Sequence, residues 1–323
     1  MINKIDIERT YKIISSGIIE TPLIHSPLLS HISGANVYFK LENQQKTGSF
    51  KMRGVLSKIN SLNKFDFNKL FVASSTGNHA AAFCEASEKF GFKGVLFLPE
   101  NTASSKVSAI AHYKNVEKIF FGKNSVDAEM KATQYAYENK GILIHPYNDL
   151  KIIEGQGTIG IEIKHQLPQV DVILAPIGGG GLISGLCCYF KDTSHVKVIG
   201  CQAENASEMY RSVKLNSIVQ PSIEKTIADA VAGGIEHDSL TFPIIKEHIS
   251  GFEIISEINI KRAVAFIANH HQILIEPSAA LPVAALLNNK TYKNKNVVLV
   301  VTGKKINMEL LTEILNKYGN YYS

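Results

Sequence analysis

The alternation of short apolar segments with segments of helical periodicity is the feature that most constrains how this chain folds. The apolar segments are rich in β-branched residues and almost uniformly hydrophobic, which is typical of parallel strands covered on both faces. The predicted strands are residues 37–41, 70–73, 94–98, 118–121, 143–145, 172–176, 197–201 and 296–302. The predicted helices between them include residues 78–90, 104–113, 125–139 and 181–190. This order predicts an α/β fold with right-handed crossovers and helices on both faces of mostly parallel sheets.

Two junctions between a predicted strand and the next helix are rich in Gly, Ser and Thr, at residues 74–79 and 176–181. In open parallel sheets, ligands bind beyond the carboxyl ends of the strands. The two junctions are about 100 residues apart in the chain. We therefore expect two lobes that face each other across a ligand-binding cleft.

Composition excludes several classes of protein. The chain has 323 residues and a net charge of +5, and its basic residues are spread along it. A nucleic-acid-binding protein would concentrate its basic residues on one stripe with interleaved aromatic residues. We therefore expect no nucleic acid as a partner. The sequence shows neither an N-terminal signal segment nor an apolar run of the ~20 residues that span a bilayer. We expect a cytoplasmic protein that does not bind membranes.

The four cysteines, Cys84, Cys187, Cys188 and Cys201, show no CxxC or Cys/His ligand spacing. This pattern predicts buried, reduced thiols and argues against a disulfide framework or a zinc site.

Lys51 occupies an unusual position, at the start of a predicted helix that follows a strand and the turn Lys46-Thr47-Gly48. Ser49 is a suitable N-cap, which places Lys51 in the first helical turn. The partial positive charge of a helix N-terminus disfavours an ammonium there, which lowers the pKa of the lysine and favours the neutral amine needed for imine formation. Taken alone, the position is also typical of an ordinary exposed lysine.

The segment Ser74-Ser75-Thr76-Gly77-Asn78-His79 places hydroxyl groups and backbone N–H groups at the start of another predicted helix. Such a junction is a suitable cradle for a carboxylate. Asn78 is a candidate partner for a ring hydroxyl. The same segment is also typical of a well-capped helix.

Four consecutive glycines, Gly178, Gly179, Gly180 and Gly181, precede Leu182 and a predicted helix. They allow the backbone to wrap a small anion in front of a helix N-terminus. The pattern is neither GxGxxG nor a P-loop, since no Gly-Lys-Ser/Thr follows, so a monophosphate fits best. A plain strand-to-helix turn is the alternative. Thr302, at the end of the last predicted strand, is a further candidate, for contact with a heterocyclic nitrogen.

In this order the motifs resemble the serine/threonine dehydratase and serine racemase branch of the fold-type II pyridoxal-phosphate family. The resemblance extends from about residue 13 to about residue 307 and includes the segments 154–158 and 275–278. It implies two open, twisted, mostly parallel sheets with the cofactor in the cleft between a large and a small domain. The large pyridoxal-phosphate-binding domain would comprise residues 1–69 and 149–323, and the small movable domain residues 70–148. It also implies a homodimer.

The resemblance also assigns roles to individual residues. Lys51 would form the Schiff base with pyridoxal 5'-phosphate and act as the base at the substrate α-carbon. Other cofactor-binding residues would be Phe50, Asn78, Gly178, Gly179, Gly180, Gly181, Leu182 and Thr302. Amino-acid substrate would bind at Ser75, Thr76, Gly77, Asn78 and His79. A hydroxyl facing the pyridine nitrogen would leave it unprotonated and favour β-elimination.

The chain departs from the family pattern at several positions. Thr76 stands where the racemases have a serine that acts as acid and base on the face opposite the lysine. The additional methyl group of threonine restricts where its hydroxyl points, which argues against racemisation. The family's divalent-cation site (Mg²⁺ or Ca²⁺) would correspond to Gln202, Ala206 and Glu208, and Gln202 replaces a glutamate, which leaves cation binding open. Two further differences are Ala230 in place of a glycine and Lys304-Lys305 in place of Gly-Asn.

The resemblance implies a lyase that converts L-serine, L-threonine or a related 3-hydroxy amino acid to a 2-oxo acid and ammonia. The freed Lys51 would remove the α-proton, and the cofactor phosphate would protonate the leaving hydroxyl. The main alternative is an amino-acid racemase with dehydratase side activity. An alternative of a different class is a non-catalytic sensor of cofactor or amino acid.

Overall fold

Two separate sheets organise the chain, and each draws on its own part of the sequence. The computed structural model describes residues 2–220 and 224–319. The strands are β1 (Leu23–His25), β2 (Asn36–Lys40), β3 (Phe71–Ser74), β4 (Gly94–Leu98), β5 (Val116–Phe120), β6 (Ile142–Leu143), β7 (Val172–Pro176), β8 (Lys197–Ala203), β9 (Gly251–Ile255) and β10 (Asn296–Val300). The helices are α1 (Lys4–Ile14), α2 (Pro27–Ser33), α3 (Lys51–Asn60), α4 (Asn78–Phe90), α5 (Ser104–Ser108), α6 (Ser125–Glu138), α7 (Leu150–Gln166), α8 (Gly181–Phe190), α9 (Glu208–Leu215), α10 (Thr241–His248), α11 (Glu257–His271), α12 (Pro277–Asn288) and α13 (Met308–Tyr318).

The larger sheet has six strands in the order β1-β2-β10-β7-β8-β9, and only β1 runs antiparallel to its neighbour. The smaller sheet has the order β5-β4-β3-β6 and is parallel throughout. Every residue of β3, β4 and β7 is buried, as expected of strands covered by helices on both faces. The predicted α/β fold with two mostly parallel sheets is confirmed.

All four strands of the smaller sheet lie between residues 71 and 143, inside the segment predicted as the small domain. The division into a large domain (1–69 and 149–323) and a movable small one (70–148) stays a prediction. Among the residues that the structure describes, no helix combines the length and the apolar character needed to cross a bilayer.

The sequence pattern located β4, β7, α4 and α8 to the residue but missed β1 and β9. Both missed strands lie at the edges of the larger sheet and keep most of their residues partly or fully exposed. An edge strand has a neighbour on one side only and needs less apolar character, so its sequence is less distinctive. Helix α5 ends at Ser108, five residues before its predicted end.

Glycines within α7 allow three helices to pack backbone against backbone. A Cβ on Gly155 would lie 2.5 Å from the carbonyl oxygen of Arg53 in α3, and one on Gly157 would lie 2.9 Å from that of Gly185 in α8. Asp149 is the N-cap of α7, and its carboxylate accepts a hydrogen bond of 2.7 Å from Lys151 N. The glycines of the segment 154–158 therefore determine how closely α3 and α8 pack against α7.

A buried ion cluster ties α3 to α7. The Arg53 guanidinium donates to both carboxylate oxygens of Glu42 (2.8 and 2.8 Å) and to both oxygens of Glu162 (2.7 and 2.8 Å). Lys40 Nζ donates to the same Glu162 carboxylate at 2.6 Å. All four side chains are fully buried. The cluster is neutral, because two cations face two carboxylates, and each charge keeps hydrogen-bonded partners.

We predict that Arg53→Met strongly destabilises the protein, because it leaves the buried Glu42 carboxylate without its cation and only Lys40 to face two carboxylates. Breaking such a buried pair from one side costs about 3–5 kcal/mol. Arg9→Met is the matched control, since Arg9 is 70% exposed and lies 3.8 Å from Asp6, and such surface pairs contribute about 1 kcal/mol or less. Thermal unfolding of both variants without added cofactor is the measurement. Similar unfolding midpoints for the two variants would show that the cluster is not a principal support of the fold.

Candidate active site

Lys51 is the first residue of α3, and the turn before it is held by the end of the central strand β10. Phe50 N donates to Thr302 O at 3.2 Å, and Lys304 N donates to Gly48 O at 3.2 Å. The N-cap of the helix is Phe50, not Ser49 as the sequence suggested, and no side chain caps it. The Ser49 hydroxyl is buried and has no hydrogen-bond partner. The structure thus places Lys51, Phe50 and Thr302 at the carboxyl end of one parallel strand, where ligands bind in such sheets.

The Lys51 amine is largely removed from water. Its Nζ donates to the carbonyl oxygen of Pro146 at 2.7 Å, in the segment that follows β6. Burial lowers the pKa of Lys51 to about 8, although Glu129 and Glu276 act in the opposite direction. The predicted depression of this pKa is therefore present, but its principal cause is burial between the two sheets, which a helix N-terminus alone does not supply.

Asn78 lies at the start of α4 and bridges the small sheet to α12. Its Nδ2 donates to both carboxylate oxygens of Glu276, at 3.0 and 2.8 Å. Its Oδ1 is buried and has no partner. Glu276 N in turn donates to Gly303 O at 3.1 Å, beside Thr302. Burial raises the pKa of Glu276 to about 7, partly offset by the hydrogen bond from Asn78. Glu276 lies in the segment 275–278, and its local sequence predicted no contact with Asn78.

The turn at residues 75–77 lines the open side of this region. Ser75, Thr76 and Gly77 are half-buried, and a Cβ on Gly77 would meet no atom within 4 Å. Ser75 Oγ accepts a hydrogen bond of 3.2 Å from Gly77 N. The first backbone N–H groups of α4 have no acceptor inside the helix and are suited to bind an anion. The role of Ser75, Thr76 and Gly77 in binding substrate stays a prediction.

His79 behaves differently from its neighbours. It is buried, and its Nε2–H donates to Ile144 O at 2.7 Å, inside the small sheet's own layer. Burial, together with the nearby Lys51, lowers the pKa of His79 to about 3, so its imidazole is neutral. The Nε2–H group of His79 is thus occupied within the lobe, and the role of His79 in binding substrate stays a prediction.

The glycine run lies between β7 and α8, as predicted. Gly180 has φ +92°, a backbone conformation that glycine adopts without strain. The Tyr147 ring packs directly against Gly179, so that any Cβ there would overlap the ring. Thr241 Oγ1 donates to Gly179 O at 2.6 Å. Leu182, in the first turn of α8, is buried. The Tyr147 ring, the glycine run and the start of α8 thus form one packed surface.

A polar cluster beside this surface had no signal in the sequence. His145 Nδ1 accepts from the backbone N–H groups of Tyr147 (3.2 Å) and Asn148 (2.7 Å), so its Nε2–H donates to Glu236, at 2.9 Å. Asn148 Nδ2 also donates to Glu236, at 2.6 Å. Burial would raise the pKa of Glu236, but these hydrogen bonds outweigh it and lower the pKa. His145 and Glu236 are 91 residues apart, so only the tertiary fold reveals the pair.

The predicted cation-binding positions lie away from this cluster but close together. Gln202 lies beside Ala206, and Glu208 is the first residue of α9. Gln202 donates to Ala206 O, and Glu208 pairs with Arg211 at 3.4 Å. Among the described residues, no group of three or more His, Cys, Asp or Glu side chains forms a potential metal site.

The arrangement fits pyridoxal phosphate. A lysine with a pKa of about 8 can react with an aldehyde, because a substantial fraction of its amine is unprotonated. The glycine run with its helix N-terminus suits a monophosphate. The unpartnered Oδ1 of Asn78 needs a hydrogen-bond partner that the protein does not supply. These groups come from three chain segments that meet around Lys51.

Comparison with known proteins gives the same result. The family described as pyridoxal-phosphate dependent enzymes matches residues 14–303. An L-threonine ammonia-lyase of Thermotoga maritima is 34% identical over 319 residues, covering 98% of this chain and 79% of the relative. A serine racemase of Dictyostelium discoideum is 35% identical over 319 residues, covering 96% of this chain and 97% of the relative.

Solved structures agree with the sequence relatives. The crystal structure of the Dictyostelium discoideum serine racemase superposes with a TM-score of 0.86 at 34% identity, covering 95% of this chain and 99% of that one. Threonine deaminase isoform 2 of Solanum lycopersicum superposes with a TM-score of 0.90 at 28% identity, covering 98% and 87%. This chain therefore belongs to the pyridoxal-phosphate dependent enzymes of fold type II.

Proposed function

We propose that this protein is an ammonia-lyase that converts L-serine, L-threonine or a related 3-hydroxy amino acid to the corresponding 2-oxo acid and ammonia. The observation that carries the proposal is the Lys51 amine, which has a lowered pKa and donates to the carbonyl oxygen of Pro146, next to the Tyr147 ring that packs on Gly179. Relatives named as L-threonine ammonia-lyase or L-threonine dehydratase, at 34% identity, support it.

The residues that would hold the cofactor are Lys51 for its aldehyde carbon, the glycine run for its phosphate, and Asn78 and Thr302 for polar atoms of its ring. When bound, pyridoxal phosphate supplies an electron sink that acidifies the α-proton of the amino acid. Glu276 fixes the Asn78 amide through two hydrogen bonds, so it is a positioning residue for the ring contact. Phe50, next to Lys51, would pack beside the ring.

The N–H groups at the start of α4, with the hydroxyls of Ser75 and Thr76, would bind the substrate carboxylate. This contact would orient the α-carbon toward Lys51. The neutral Lys51 amine would then take the α-proton, and its pKa of about 8 allows it to accept a proton near neutral pH and to release it again. Loss of the β-hydroxyl as water would complete the elimination, and hydrolysis of the released enamine would give the 2-oxo acid and ammonia.

Racemisation is the second candidate, because a serine racemase is 35% identical to this chain. It requires a proton donor on the face opposite Lys51. Thr76 supplies a hydroxyl at the position where the family's racemases have serine, but its β-branch restricts the directions in which that hydroxyl points. This difference favours elimination over racemisation.

We predict that Lys51→Ala abolishes elimination and the visible absorption of the bound cofactor, while the protein stays folded. Lys46→Ala is the matched control, because Lys46 lies in the same turn and is exposed. Borohydride reduction of the cofactor-loaded wild type, followed by peptide mass analysis, should place the cofactor mass on Lys51. Retained turnover in Lys51→Ala, or label on another lysine, would overturn the assignment.

We predict that a negative charge in the glycine run weakens cofactor binding. Because any side chain at position 179 overlaps the Tyr147 ring, the comparison should be made in a Tyr147→Ala background. There, Gly179→Asn and Gly179→Asp add nearly the same volume and differ in one charge. We expect at least about tenfold weaker affinity for the Asp variant, because it places a carboxylate against a phosphate. Equal affinities by cofactor titration would show that the phosphate binds elsewhere.

We predict that elimination exceeds racemisation of L-serine by at least about tenfold, a difference of only about 1.4 kcal/mol in barrier. Chiral analysis of the remaining serine, run beside pyruvate release in the same reaction, gives both rates. Thr76→Ser should raise the D-serine fraction, and Thr76→Val should lower it. D-serine that accumulates as fast as pyruvate in the wild type would make racemase the better description.

A further inference from the structure

The Gln202 side chain, at the end of β8, connects three parts of the large sheet's ligand edge. It is 1% exposed. Its Nε2 donates to Ala206 O at 3.2 Å and to Ile177 O at 3.4 Å, and its Oε1 accepts from Tyr210 N at 2.8 Å. Ala206 lies in the loop after β8, Tyr210 in α9, and Ile177 directly before the glycine run. One amide group therefore joins the loop, the helix and the entrance to the candidate phosphate site.

The orientation of this amide follows from its neighbours. Two of its partners are carbonyl oxygens, which only accept hydrogen bonds, and the third is a backbone N–H, which only donates. Rotating the amide by 180° would place oxygen against oxygen at two contacts and N–H against N–H at the third. The NH₂ group must therefore point between the carbonyls of Ile177 and Ala206.

These residues do not fit a hard divalent cation. The resemblance places the family's cation among Gln202, Ala206 and Glu208, and Ca²⁺ or Mg²⁺ requires oxygen ligands there. Here the NH₂ group, with its partial positive charge, is directed at the Ala206 carbonyl that would serve as one of those ligands. Glu208 is 5% exposed and lies 3.4 Å from the Arg211 guanidinium, which supplies a competing cation. The Ala206 carbonyl and the Glu208 carboxylate, which would bind the cation, therefore already have partners within the protein.

We propose that the Gln202 amide permanently replaces a divalent cation, so that this enzyme folds and acts without one. The NH₂ group gathers two carbonyl oxygens, as a cation would, and the Oε1 atom adds a bond to α9 that a bare cation cannot make. The inference does not depend on which amino acid is the substrate. It also gives the glycine run a support: Ile177 is held at its carbonyl by Gln202 and at its N–H by Cys201 O, at 2.9 Å.

The test compares thermal unfolding of the cofactor-loaded protein in chelator and in excess Ca²⁺ or Mg²⁺. Wild type should have the same unfolding midpoint and the same turnover in both buffers. Gln202→Met removes the amide but keeps the volume, so it should lower the midpoint equally in both. Gln202→Glu places a carboxylate between two carbonyls and should lower the midpoint in chelator, with a recovery of about 5 °C or more in Ca²⁺. Gln44→Glu, at an exposed position, is the matched control and should show neither effect.

Titration calorimetry of calcium binding to the Gln202→Glu variant adds a measurement that does not depend on activity. If this variant accumulates folded only when Ca²⁺ is present, that result also supports the replacement. A wild-type midpoint or turnover that falls in chelator and recovers with cation would overturn it. An unchanged midpoint in Gln202→Met, or a Gln202→Glu variant that is destabilised and insensitive to Ca²⁺ and Mg²⁺, would overturn it as well.

Discussion

The position of Arg53 between two buried carboxylates is the constraint on which the site geometry depends. The Arg53 guanidinium binds Glu42 and Glu162 together and so fixes α3 against α7. Gly155 lets the backbones of these two helices come into contact. Lys51 lies two residues before Arg53. It directly follows the turn that is hydrogen-bonded to Thr302 at the end of β10. A buried, bidentate ion cluster has few alternative geometries, so it sets the position of the lysine more sharply than apolar packing alone.

Polar and apolar contacts both join the smaller lobe to the rest of the molecule. Apolar clusters pack the helices and strands of each lobe, and one of them crosses the boundary, where Met52 and Leu56 of α3 pack with Phe83 of α4. Between the lobes, the bridges around the cleft are polar: Asn78 to Glu276, His145 to Glu236, and the exposed pair of Lys106 with Asp229 at 2.8 Å. The exposed Lys106–Asp229 pair can be exchanged for water at small cost, whereas the Asn78–Glu276 contact is buried. The movement of the smaller lobe, which would open and close access to Lys51, stays a prediction.

The surroundings of Lys51 show how one buried cleft gives different groups different protonation. Burial lowers the pKa of Lys51 to about 8 and that of His79 to about 3, because both lose solvation of a cation. The same burial raises the pKa of Glu276 to about 7, because a carboxylate loses solvation of an anion. A proton-accepting amine, a neutral imidazole and a partly protonated carboxyl therefore stand close together near neutral pH.

Local pattern was sufficient for much of this protein. The uniformly apolar strands β4 and β7, the helices that follow the two Gly-rich junctions, and the motif around Lys51 are all encoded within short windows, so the fold class and family could be predicted from sequence. The tertiary structure alone decided which distant groups meet. Glu236 joins His145 across 91 residues, Glu276 orients Asn78 across 198, and Gln202 binds Ile177 across 25. No local window contains both partners of such a contact. Burial of Lys51, the main cause of its altered pKa, likewise arises only when two separate sheets close around one side chain.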